Sequence, residues 1–332
     1  MPLLVPPNLF SLEGTENVFH VSKSFTTTMT SWPWMNGVDV AIADPIPLLN
    51  GQDSRPSVKA LIQDNRKVIN EVKENLQSNP LFNADKHDDL WILRFLLSHK
   101  KNTKVAFKAA ETTLAFRKEH KFDEQDIRSL SVGTGPGKAS QSEACQRYNK
   151  YCTEDACRFV VPDVTRGVIG FFRLAGVDQH GMVKNVDKEN WLPTYCYISE
   201  WTFQWIDFVT RTTGRLTKSV RFLDMKGCGL SGISYEFVTR DTDAMGVMED
   251  CYPQMLQSLF ICNSPVWIQI PWRIIRPLMP KRVVTKFDFI NRPKSDKERK
   301  RLFQHVSEQN LPVRFGGKHE VWPVNFPPPV AG

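Results

Sequence analysis

Apolar residues first take up a helical rhythm near Ser57. Val58, Leu61, Ile62, Val68, Ile69 and Val72 recur at roughly helical spacing, which predicts a helix over residues 57–77. The block LWILRFLL at 90–97 is apolar on nearly every side except at Arg94. A helix of that kind is buried, and its one charge needs a partner or a polar cavity. Thr103 reads as the cap of a further helix that carries Phe107, Ala110 and Leu114 on one face and ends near His120. The N-terminal third is thus predicted to be a small helical bundle.

After SLSVGTGPGKASQS at 129–142, a linker by composition, the pattern changes to short apolar runs between helical stretches. Strands are predicted at 168–172, 220–224, 257–262 and 287–290. Helices are predicted at 191–213, 235–250, 266–279 (interrupted by Pro271 and Pro277) and 295–306. Alternating strands and helices predict an α/β lobe with a mostly parallel sheet. The expected organisation is an extension over 1–55, flexible apart from docked aromatics such as Trp32 and Trp34, a helical lobe over 56–128 and an α/β lobe over 143–322.

Composition narrows the classes. The 332 residues are 41% hydrophobic and 24% charged, which excludes a wholly disordered or collagen-like chain. No run of about 18 apolar residues occurs, so no membrane-spanning helix is predicted. The first residues have no basic start and are broken by prolines, so no secretory signal is expected, and Glu13 and Glu16 argue against a transit peptide. Seven cysteines, an odd number, point to buried thiols in a reducing compartment. Cys145, Cys152 and Cys157 cluster without a CxxC pair, and zinc would need a distant ligand such as His180, so no metal is expected. Net charge is +7, and thirteen basic against four acidic residues lie between Val266 and Lys318. The excess is therefore local, which suggests an anionic partner for that stretch.

Gly227-Cys228-Gly229-Leu230-Ser231-Gly232 is a literal GxGxxG between a predicted strand and helix, the context of a dinucleotide site. Against that reading, it sits deep in the chain, and the next strand ends at Asn263 rather than an acid. The alternative is a glycine-rich turn into the helix. No nucleophile elbow, HExxH or triad spacing is present, and the chain reads as a non-enzyme. In the 266–286 segment, Trp267, Ile268, Ile270, Trp272, Ile274 and Ile275 are interleaved with or followed by Arg273, Arg276, Lys281, Arg282 and Lys286. That mixture fits the interface of an anionic bilayer, and equally a core helix with a solvated basic end.

LRFL at 93–96, FFRLAG at 171–176, LDMKG at 223–227, YPQMLQSLFICNSP at 252–265 and NLPVRFGGK at 310–318 occur in order. Together they resemble the CRAL-TRIO lipid-binding family, most closely the secretory-pathway phosphatidylinositol/phosphatidylcholine transfer type. The resemblance covers roughly residues 57–320. It implies a helical N-terminal lobe followed by an α/β lobe whose sheet floors an apolar pocket, with Phe171, Phe172, Phe222 and Phe260 as pocket candidates. It places a movable gate at the 266–279 segment, so Trp267, Ile268, Ile270, Trp272, Ile274, Ile275, Lys281 and Arg282 are the gate and membrane candidates.

The family's phosphate-holding lysine falls at Lys286. Its N-terminal arginine is replaced by His99, and the acid of its YPE motif by Gln254. For a choline head group, the serine falls at Ser219, but the following hydroxyl position is Arg221 and the tyrosine is Phe171. The resemblance implies a monomer without cofactor, cytoplasmic and peripherally membrane-associated. Its partners would be a lipid ligand and an anionic membrane surface, not nucleic acid. A phospholipid is the expected ligand, with phosphatidylinositol ahead. A retinoid-, tocopherol- or sterol-like ligand is the alternative, followed by an NAD(P)-dependent oxidoreductase using the GCGLSG turn and by a membrane adaptor.

Overall fold

The computed structural model describes residues 32–35, 42–47, 53–128, 150–153, 156, 159–163, 166–279 and 281–320. The linker at 129–142 lies outside them. In the helical lobe, Ser57 caps α1 (Val58–Asp64) by accepting the Ala60 amide at 3.3 Å. The single helix expected over 57–77 is two. The Asn65 side chain donates to the Leu61 carbonyl at 2.7 Å, its backbone leaves the helical region (φ −116°), and α2 (Arg66–Leu76) starts afresh. Asp88 caps α3 (Asp89–Ser98) through the Trp91 amide. The cap of α4 (Thr103–Glu119) is Asn102, not Thr103, whose hydroxyl donates to Glu71 instead.

The α/β lobe runs β1 (Phe159–Asp163), β2 (Gly167–Arg173), α5 (Gln179–Asn185), α6 (Lys188–Thr213), β3 (Ser219–Asp224), α7 (Tyr235–Cys251) and β4 (Leu256–Cys262). It continues through α8 (Gln269–Ile275), α9 (Lys281–Val284), β5 (Phe287–Ile290) and α10 (Asp296–Leu302). The sheet order is β1-β2-β3-β4-β5, with β1 antiparallel to β2 and the other pairs parallel. The antiparallel β1 and the short α5 and α9 did not stand out in the sequence. At the end of α6, Gly214 has φ +64°, and a Cβ there would lie 2.1 Å from the Ala43 carbonyl oxygen.

Charges buried along α6 tie the lobes together. Arg94 of α3 is fully buried and donates to Asp207 at 3.3 Å and Thr210 at 3.2 Å, both on α6. Arg117 of α4 makes a bidentate pair with Glu200 of α6 at 2.9 and 3.1 Å and also reaches Asp123. Arg211 spans Asp207 and Asp88. The indole of Trp34 donates to Asp207 at 3.1 Å, and Trp34 stacks on Trp32. Burial works against ionisation of Asp123, but Arg117 and His87 outweigh it and bring its carboxyl down to about 2. Its contribution to stability is therefore intact above the ordinary value of 3.8 and is lost as pH falls toward 2. Acid titration followed by circular dichroism should show a loss of stability in that window that is smaller in Asp123→Asn.

Strand alternation gives the sheet two unlike faces. Register sets Phe171, Phe222 and Phe260 side by side, with ring centroids 5.0 and 5.2 Å apart. Leu302, Val306, Leu311 and Phe315 from the C-terminal segment belong to the same buried cluster. That face is packed solid. The other face carries Phe172, Arg221, Leu223, Leu259 and Phe287, and it is hollow.

Candidate functional site

A cavity of about 500 Å³ lies over this second face. Its floor is made by the five strand residues just named, and one wall by Phe237, Met245 and Met248 of α7. Unbranched methionines give this wall side chains that adapt their shape readily. Three of the four pocket phenylalanines expected from sequence are corrected by this geometry. Phe171, Phe222 and Phe260 fall on the opposite strand phase and fill the solid core, while Phe172 lines the cavity. Asp241, Met245, Met248 and Glu249 were not anticipated. Their signal was the stripe Phe237, Asp241, Met245, Met248 along one helix face, with an acid at an otherwise apolar position.

Polar groups gather where α3, α7 and α9 meet. Arg282 donates to Glu249 at 2.9 Å, approaches Asp250 at 3.5 Å, donates to the Ser98 carbonyl at 2.9 Å and lies 3.3 Å from His99 Nδ1. Gln254 donates to the Ser98 hydroxyl at 3.0 Å. Burial raises the Glu249 carboxyl above the usual range, against the pull of Arg282 and Lys286. Burial also lowers the Lys286 ammonium; Glu249 draws it back up and Arg282 depresses it further. His99 is lowered by burial and by Arg282.

Of the head-group candidates, Lys286, Gln254 and Arg221 line the cavity. Ser219 and His99 do not. The Ser219 hydroxyl donates to the Met255 carbonyl at 2.9 Å, and His99 sits behind Arg282. Arg221 packs over the ring of Phe172 on the floor, 5.9 Å from its centroid.

The 266–279 segment is not one helix. Single 3-10 turns at Val266–Ile268 and Arg276–Leu278 flank the two-turn α8. Pro271 is tolerated in the first turn of α8, and Pro277 follows its end. None of Trp267, Ile268, Ile270, Trp272 and Ile274 lines the cavity, which corrects the expectation of a flap across it. Trp272 instead lies on β5, 5.2 Å from the ring of Phe287 and 5.3 Å from that of Phe289. Trp267 and Ile268 are half-buried, and the side chain of Ile275 lies outside the described residues. Val266, Ile270 and Ile274, spaced four apart, are 93%, 68% and 54% exposed. Lys281 is exposed, but Arg282 is not a free membrane-facing cation, because its guanidinium is held by the contacts above.

Residues 161–317 match the CRAL/TRIO domain family. That stretch, just under half of the chain, is similar to a CRAL/TRIO domain. This is a family of lipid-binding and lipid-transfer proteins. The chain is 22% identical to Patellin-3 of Arabidopsis thaliana over 263 residues, covering 76% of this chain and 48% of that one. It therefore spans about half the length of that relative. It is 23% identical to the SEC14 cytosolic factor of Candida glabrata over 236 residues, covering 70% and 72% of the two chains. Among solved structures, the crystal structure of Sfh5 aligns with a TM-score of 0.44 at 11% identity over 73% of this chain and 82% of that one.

Within the CRAL/TRIO fold, the GCGLSG segment is the turn leaving β3. A Cβ at Gly232 would meet nothing within 4 Å, and one at Gly229 would meet only the Ser231 hydroxyl at 3.8 Å, so no tight backbone approach calls for glycine there. At the strand end, Asp224 is fully buried and engaged by Arg314 and Asn263. Gly227, the first glycine of the segment, has φ +86°, the left-handed conformation that a sharp exit from the strand needs. No helix is long and apolar enough to cross a membrane among the described residues. Cys145 and Cys157 lie outside those residues, and within them no three metal-ligating side chains come together.

Proposed function

We propose that the chain is a lipid carrier. It takes one lipid tail-first into the cavity, holds an anionic head near Lys286 and Gln254, and exchanges its cargo where the 266–279 segment meets an anionic membrane. The observation that carries this reading is the cavity of about 500 Å³, with a floor apolar except at Arg221, on one face of a sheet whose other face is packed solid. Each methylene moved from water into such a space gains roughly 0.8 kcal/mol, so a long chain supplies most of the binding energy. Lys100, Arg173, Arg221, Arg282 and Lys286 outnumber Asp241 and Glu249 around the cavity, which favours an anionic head. A phospholipid, with phosphatidylinositol ahead, fits that preference. The reading is of a carrier with no chemical step.

The volume favours a second reading. At about 30 Å³ per water-sized group, the cavity holds roughly 17 such groups, one long chain rather than two. A diacyl lipid therefore requires the wall to move, whereas a single-chain amphiphile enters as the cavity stands. Native mass spectrometry of the freshly purified chain, followed by chloroform extraction, decides between them. One bound lipid with phosphorus in the extract supports the phospholipid, and a phosphorus-free single-chain species supports the second reading. An empty protein that also takes up nothing from mixed vesicles overturns both.

A further inference from the structure

A second and larger cleft, about 670 Å³, lies away from the lipid cavity. It opens at the carboxyl ends of β3, β4 and β5, where Lys226, Asn263 and Arg292 follow the strands, and the 312–320 segment closes its far side. In α/β sheets the crevice outside the carboxyl ends of the strands is where ligands bind. Nothing in the lipid-carrier reading uses this end of the sheet.

The chemistry of the cleft is one-sided. Lys226, Arg292 and Lys294 are exposed on it, and no carboxylate pairs with any of them among the described residues. Arg314 adds a guanidinium whose position is fixed. The fully buried Asp224 pairs with Arg314, accepts the Asn263 side-chain amide at 2.8 Å and accepts the Lys226 backbone amide at 3.0 Å. One buried carboxylate thus orders three neighbours of the cleft. Asn263 also holds a left-handed backbone (φ 53°), a conformation that asparagine tolerates better than most residues. Glu320 is the acid in the lining. Among the described residues the lining contains no Phe, Tyr or Trp, and its one aromatic ring is the small imidazole of His319, a poor platform for a nucleobase beside so many cations.

We infer that this cleft is a binding site for a small polyol bearing several phosphate groups, either free in solution or as the head of a membrane lipid. Three cations without acid partners and one oriented arginine suit clustered phosphates, which accept charge-assisted and bidentate hydrogen bonds. The volume suits a ring-sized polyol with its phosphates. Asp224 acts as a positioning residue. It does not touch the ligand but holds Arg314 and Asn263 toward it.

The test uses the full chain and isothermal titration calorimetry with inositol hexakisphosphate. The result expected is saturable one-site binding that Arg292→Glu/Lys294→Glu weakens about tenfold or more, because two attractive charges become repulsive. That variant should keep its melting temperature and its co-purified lipid, since neither residue is buried or near the lipid cavity. Lys297→Glu/Lys300→Glu, an equal charge change on exposed residues outside the lining, should change the affinity less than about threefold at physiological salt. Equal losses in the two variants, or no binding of the probe, overturn the site. ATP binding as tightly as the probe overturns the phosphopolyol class. Flotation with phosphatidylcholine vesicles, with and without phosphatidylinositol bisphosphate, separates the sources. Capture by the phosphorylated lipid that is lost in Arg292→Glu/Lys294→Glu identifies the membrane head, and calorimetric binding without such capture identifies a soluble ligand. Both outcomes support the cleft, and both are independent of what fills the lipid cavity.

Discussion

Asp207→Ala should destabilise the protein by about 3–5 kcal/mol, the range seen when one partner of a buried ion pair is removed. Asp207 accepts from Trp34, Arg94 and Arg211, which arrive from three different parts of the chain. Arg94 is fully buried, and burial holds its guanidinium below the usual range against the attraction of Asp207. Removing the carboxylate strands that cation between the helical lobe and α6. Thermal melts should fall by about 10 °C, since each kcal/mol moves the midpoint by roughly 2–4 °C in a domain of this size. The pair Arg94→Met/Asp207→Leu should recover part of the loss, because the stranded charge leaves with its partner. An Asp207→Ala melt that matches the parent protein would show that the Asp207 cluster does not hold the lobes together and that apolar packing and the Arg117–Glu200 pair do.

The second large effect concerns the outward ridge of Val266, Ile270 and Ile274. Converting all three to glutamate should weaken binding to anionic vesicles by a hundredfold or more. A fully buried aliphatic side chain is worth about 1.5–3 kcal/mol. Discounted for partial insertion, three of them still supply about 3 kcal/mol, and about 1.4 kcal/mol is a factor of ten. The new carboxylates are also repelled by the same surface that Arg273, Arg276 and Lys281 attract. Because the ridge already faces water, the variant should keep its melting temperature and the lipid with which it purifies. Sedimentation with vesicles reads the effect, and an undiminished pellet would mean that the protein meets membranes through another face.

The sequence was most legible where one period dominates. The strand at 287–290 and the long helix ending at Thr213 follow directly from apolar spacing, and the ordered motifs led to the CRAL/TRIO domain. It was least legible where both phases of a strand are apolar. Phe171 and Phe172 are chemically identical neighbours, and only the C-terminal segment returning with Phe315 decides which of them meets solid core. Polar side chains that bond to nearby backbone also escaped the spacing argument. Asn65 divides a predicted helix by bonding to Leu61, and Asn102 takes the capping role expected of Thr103. The function of Arg282 was hidden for a different reason. Its sequence neighbours look like a basic rim, but its partners Glu249, Asp250 and the Ser98 carbonyl are far away along the chain.

Trp272 has a consequence for behaviour in bulk water. β5 is the last strand of the sheet, and the indole covers Phe287 and Phe289 on it. If α8 lifts during lipid exchange, two aromatic rings are bared beside a strand with one unpaired side, the arrangement by which proteins stick edge to edge. A bilayer hides that surface and water does not. As long as α8 stays seated, Trp272 therefore guards the molecule against self-association in water.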